Sequence, residues 1–181
     1  MTHMNDEILN IFEWYAQGLT SRSPNYKKGD ITPKQTQMLY QERLGVFSRI
    51  DDNFIKAVAT LMIYKNISKE EYQQVRMYLA QVFIQKAKQD KKRMPDFITI
   101  EQLAWLMARL VIDFMLDPQL NDFYTAQGRL FYAGIHSFKI NVNAYRMTWK
   151  KYEQLMQETL EQAIFDAHLV LNDYKVALGK H

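Results

Sequence analysis

Residues 99–116 read TIEQLAWLMARLVIDFML, and their pattern decides the fold class. Thr99 followed three residues later by Gln102 has the form of a capping box: the hydroxyl accepts from the Gln102 amide while the Gln102 side chain reaches back to the amide of Thr99. Behind the box, Ile100, Leu103, Met107, Leu110 and Phe114 recur at alternating steps of three and four, the spacing of one helical face. Trp105, Val111, Ile112 and Leu116 occupy the other faces, so the stretch predicts a central helix buried nearly all round.

The same period extends outward in both directions. Upstream, Ser68-Lys69-Glu70-Glu71 is a second capping box, opening a helix with Tyr72, Val75, Leu79, Val82 and Lys86 on one stripe. Asp51 and Asp52 stand at the positive end of a helix carrying Phe54, Val58, Leu61, Met62 and Lys65 and closed by Asn66. Thr32-Pro33 opens a helix toward Leu44, and residues 20–31 read as a loop. Ile8, Ile11, Phe12, Tyr15 and Leu19 predict a first helix over roughly residues 5–19. Downstream, Asp117-Pro118 breaks the chain and starts a helix through Leu120, Phe123, Tyr124 and Phe131, with Asp117 as its cap. The longest element runs over 143–178 on a seam of Tyr145, Trp149, Tyr152, Met156, Leu160, Ala163, Ala167, Val170 and Tyr174. At roughly 50 Å it exceeds a small domain's width, so it should bend near Asn172 or end on a second subunit. The expectation is an all-α bundle of six to seven helices forming a single domain over 1–181.

Composition agrees and excludes much else. Six glycines and four prolines are too few for a many-stranded fold. With no cysteine, disulfides, thiolate catalysis and Cys-containing zinc sites are ruled out. His136 and His168 each lack a second ligand three or four residues away, and Asp113 with Asp117 lacks the Glu-x-x-His pairs of a carboxylate metal bundle. There is no glycine-rich phosphate loop and no nucleophile elbow. These absences predict no metal, no cofactor and no enzymatic activity. The lack of a long apolar run or a leader-like N-terminus predicts a cytoplasmic protein without a membrane partner.

Net charge is only +3, so distribution must carry any argument about a partner. Lys139, Arg146, Lys150 and Lys151 fall in a stretch without an acid, and Glu153, Glu158, Glu161 and Asp166 follow without a base among residues 152–166. Cations at a helix's positive end oppose the macrodipole, an arrangement suited to receiving an external anion such as phosphate. A second basic patch comprises Lys86, Lys88, Lys91, Lys92 and Arg93 against Asp90.

Ile140-Asn141-Val142-Asn143 can be laid on the turn of a helix-turn-helix spanning 130–152. Asn141 would then be left-handed, Val142 would plug the core and Asn143 would cap the second helix, with Ser137 at the small-residue position. On that register Lys139, Asn143, Tyr145, Arg146, Thr148, Lys150 and Lys151 contact nucleic acid, with Arg146 reading guanine. Ala133-Gly134-Ile135 through Tyr145-Arg146-Met147-Thr148-Trp149-Lys150-Lys151-Tyr152 resembles the C-terminal helix-turn-helix of small phage proteins, including antitermination proteins of the Q type. The resemblance implies a regulator that binds double-stranded DNA and contacts the transcription machinery. The alternative is a helical protein-protein adaptor, such as a phage-encoded inhibitor or a homodimer joined through the C-terminal helix.

Overall fold

A computed structural model of the protein describes residues 6–20, 45–65 and 68–178. Every regular element among them is helical, and the chain is all-α. Helix α1 spans Asp6–Thr20, α2 Asn53–Tyr64, α3 Lys69–Gln89, α4 Ile100–Leu116, α5 Leu120–Phe123 and α6 Ala126–Tyr132, with a 3-10 turn at Phe47–Arg49. The last helix is continuous over 142–178 but changes pitch. It comprises α7 (Val142–Ala144), a π-helical turn (Tyr145–Trp149) and α8 (Lys150–Leu178). The helix read from Thr32 to Leu44, the loop beyond Thr20 and Asn66 lie outside the described residues. Among the described residues, no helix is long and apolar enough to cross a membrane.

Local chemistry explains where the helices start. Asp52 caps α2, its carboxylate accepting from the amides of Phe54 at 2.8 Å and Ile55 at 3.0 Å. The box at Thr99 is formed in both directions, at 3.1 and 3.4 Å. At Ser68 the pairing differs from the expected one: the hydroxyl donates directly to the Glu71 carboxylate. The single helix read from Asp117 through Phe131 is two. Asp117 ends α4 and accepts from the Gln119 amide at 3.3 Å. Tyr124 is extended, and Thr125 caps α6 through the Gly128 amide at 3.2 Å.

The chain separates into two compact units, residues 1–71 with 163–181 and residues 72–162, the divisions falling within α3 and α8. In the first, α1 buries Ile11, Phe12 and Tyr15 and packs on α2, which buries Val58, Leu61 and Met62. The Tyr15 hydroxyl donates to the carbonyl of Leu171 at 3.2 Å, and Lys175 lies over the Trp14 ring at 5.1 Å. Arg49 stacks on Tyr174 at 5.2 Å. The far end of α8 therefore rests on the N-terminal helix of its own chain, and neither a bend at Asn172 nor a second subunit is required to cover it. Leu171, not Val170, takes the buried seam position there.

In the second unit α4 buries Leu103, Met107, Leu110, Val111, Ile112 and Phe114. It is not buried all round, because Trp105 is 37% exposed beneath the Arg76 guanidinium, 4.1 Å from its centroid. The buried stripe of α3 is Val75, Leu79, Phe83 and Ala87. Its uniform steps of four wind around the helix and leave Val82 half-buried and Lys86 exposed. Phe83 stacks on Trp149 at 6.0 Å and meets Tyr152 at 5.1 Å, fixing the start of the last helix against the end of α3.

Candidate functional site

The end of α3 is shaped by a Schellman motif. The Lys92 amide donates to the Ala87 carbonyl and the Lys91 amide to that of Lys88, each at 3.0 Å. Lys91 takes the left-handed position, with φ 49°, where glycine is the default residue. That conformation costs a non-glycine residue roughly 1–2 kcal/mol.

The start of the last helix is built differently from the register expected of it. Asn141 has φ −77° and ψ 159° and is itself the N-cap, its side-chain oxygen accepting from the Ala144 amide at 2.8 Å. Asn143 is an exposed residue inside the helix, and Ile140, not Val142, fills the core position. The left-handed residue is Gly134, φ 81°, closing α6 in a second Schellman motif through Ile135 to Leu130 at 2.8 Å. Residues 133–141 thus separate α6 from α7, where a helix-turn-helix uses about three or four. Because Asn141 caps the leading turn from within, the anion-binding potential of this region lies in its side chains.

Those side chains converge. Asp90 accepts from Lys151 and, at 2.8 Å, from the hydroxyl of Tyr152, and pairs with Lys86 at 3.4 Å. Hydrogen bonds from Lys151 and Tyr152 hold the Asp90 carboxyl well below the usual carboxylate range, and the same contact raises the Lys151 ammonium. Beside this junction an open groove of about 520 Å³ is lined by Asp90 through Asp96 on one side and Ala144, Thr148 and Trp149 on the other. The two basic segments of the sequence therefore share one surface.

The expected contact residues are distributed unevenly over it. Thr148 lines the groove, Lys151 is bound to Asp90, and Lys139 is half-buried. Asn143, Arg146 and Lys150 are exposed, and no ion pair involves Arg146 or Lys150 among the described residues. Of the second patch, Lys91, Lys92 and Arg93 line the groove, Lys88 is exposed, and Arg93 pairs loosely with Asp96 at 3.8 Å. Tyr145 does not reach the surface. It is buried, and its hydroxyl donates to Glu153. Burial and the Glu153 carboxylate push its phenol above the ordinary value.

Glu153, which the sequence groups with the acids that follow the basic stretch, is enclosed. It is 4% exposed and bound by the Arg129 guanidinium, whose Nε lies 3.0 Å from Oε1. Arg129 also donates to Asn121 at 3.0 Å and lies over Phe114 at 4.4 Å. A step of four from Trp149 lands on Glu153, the one signal that places it on the buried face. The charge reversal along the helix is weaker than the sequence suggests, since one of its four acids is neutralised inside.

Asp113, half-buried, is likewise satisfied within the chain. It accepts from the hydroxyls of Tyr72 at 2.6 Å and Tyr132 at 3.0 Å and pairs with Arg109 at 3.4 Å. Among the described residues no cluster of His, Asp and Glu could hold a metal ion. Compared with known proteins, the chain matches no family model, no curated protein and no solved structure.

Proposed function

We propose that the protein binds nucleic acid, as a DNA-binding regulator does, along the groove between the end of α3 and the start of the last helix. The observation that carries this reading is the meeting of two basic segments 61 residues apart in sequence at Lys151 and Asp90. Lys91, Lys92 and Arg93 line the groove with two carboxylates, Asp90 and Asp96; Lys86 and Lys151 both pair with Asp90, and Arg146 and Lys150 are exposed on the same helix as Lys151. A concave surface with an excess of cations concentrates field lines and attracts a phosphate backbone, which releases counterions on binding. Lysine at the left-handed position of α3's cap adds weight, because glycine would serve the turn at less cost. A role in transcription rests on the sequence resemblance of residues 133–152 alone, since their turn is not built as in a helix-turn-helix.

The test is a salt titration of binding to random duplex DNA, followed by fluorescence anisotropy. Lys91→Ala/Lys92→Ala should weaken binding to every sequence and reduce the slope of log K against log salt by about 0.9 for each phosphate no longer neutralised. An unchanged slope counts against the groove.

A second reading, a helical protein-protein adaptor or homodimer, is favoured by Phe165, Leu169 and Val176, apolar residues exposed along α8. Sedimentation that finds a monomer at all concentrations removes its homodimeric form.

A further inference from the structure

Resting on the reading of the groove as a phosphate site, we infer that its occupant carries unpaired bases, and that Phe97, Phe138 and His136 form the platform on which a base of single-stranded DNA or RNA stacks. Phe97 is 66% and Phe138 65% exposed, too open for either ring to serve mainly as core. They nevertheless form one assembly: the two rings meet edge to face at 6.3 Å, and the His136 ring lies parallel to Phe138, at 5.7 Å and 6°. The assembly adjoins the groove, since Phe97 directly follows Asp96 in its wall, and Lys139, half-buried, follows Phe138. Phe138 is thus next to a cation in the chain, and Phe97 follows the wall that carries Lys91, Lys92 and Arg93, so that aromatic faces border a basic groove as a strand of bases and phosphates requires.

This complementarity selects against two other occupants. Within a duplex the base faces are stacked on one another and unavailable to a side chain, whereas unpaired bases present them. A purely apolar partner would leave Lys91 and Lys92, which line the groove, without a counter-charge. Stacking tolerates any base, so sequence preference should be slight.

The full chain is titrated by fluorescence anisotropy with labelled oligodeoxythymidine, oligouridine and random duplex DNA. Wild type should bind at least one single strand more tightly than the duplex, and the tighter arm identifies DNA or RNA. Phe97→Ala/Phe138→Ala should weaken that strand about tenfold while leaving the duplex and the thermal melt unchanged, and Phe138→Trp, which keeps a stacking face, should retain binding. No loss, or an equal loss on strand and duplex, overturns the platform. If Lys91→Ala/Lys92→Ala then still flattens the salt dependence, the groove stands without it. Failure of wild type to bind any of the three overturns both.

Discussion

Tyr152 and Glu153 are adjacent in the chain and belong to charge clusters of opposite character. Tyr152 points its hydroxyl to Asp90, a carboxylate at the surface that Lys86 and Lys151 share. Glu153 is enclosed and holds Arg129 and Tyr145. Each cluster sets a carboxylate against a phenol and basic side chains, two lysines at Asp90 and one arginine at Glu153, and the depth of the carboxylate separates their consequences. The Asp90 pairs run to lysines that stand about half exposed and are therefore worth little, so those lysines can exchange an internal acid for a phosphate. Glu153 is enclosed and Arg129 keeps only a small exposed margin, so removing the acid leaves the guanidinium largely desolvated without a partner. One cluster is available for exchange and the other anchors the last helix to α6.

The largest effect that can break this contrast is at Glu153. Glu153→Gln leaves the half-buried Arg129 without its acid and should cost about 3 kcal/mol in urea denaturation. Arg129→Met/Glu153→Leu should recover most of that loss, because two apolar groups of similar volume avoid both desolvation penalties. A loss below about 1 kcal/mol for the single variant would mean a solvated pair and would erase the distinction.

A smaller effect is expected at alkaline pH. The Tyr145 phenol is raised above its ordinary value in the folded protein, so its contribution is fully present below the unfolded value near 10 and is lost as pH rises through the folded one. Thermal melts from neutral to alkaline pH should fall less steeply for Tyr145→Phe than for wild type. Identical alkaline limbs would place this phenol outside the cluster.

The smallest change in stability, yet the sharpest in binding, is expected for Asp90→Asn. Folding should weaken only slightly, through loss of the carboxylate that Lys151 and Tyr152 stabilise, while the released Lys86 and Lys151 should raise affinity for duplex DNA. The salt slope should steepen by about 0.9 for each further phosphate neutralised. Unchanged affinity would show that Asp90 does not compete with phosphate. The carboxyl of Asp90 is held low, so its hold on Lys151 is complete above the usual carboxylate value and weakens only as pH falls toward the folded one.

Much of the fold is legible in the sequence because helical periodicity is written locally. The seam from Tyr145 through Trp149, Tyr152, Met156, Leu160, Ala163 and Ala167 to Tyr174 is buried along the last helix, and the box at Thr99 forms as its residues require. The candidate site is legible only as two basic stretches. Asn141 departs from its expected turn position because Asn is suited both to a left-handed turn and to an N-cap, and short spacing does not separate the two.

The amino-acid sequence by itself determined an all-α chain, the start of α4 and the concentration of cations near residues 86–93 and 139–151, since each depends on residues within a few turns of one another. Tertiary structure alone decided that Lys151 meets Asp90, that Arg129 neutralises Glu153 and that Phe97 faces Phe138. Those partners lie 61, 24 and 41 residues apart. Nothing in a 3.6-residue period specifies which distant side chain will arrive, because that choice belongs to the packing of whole helices.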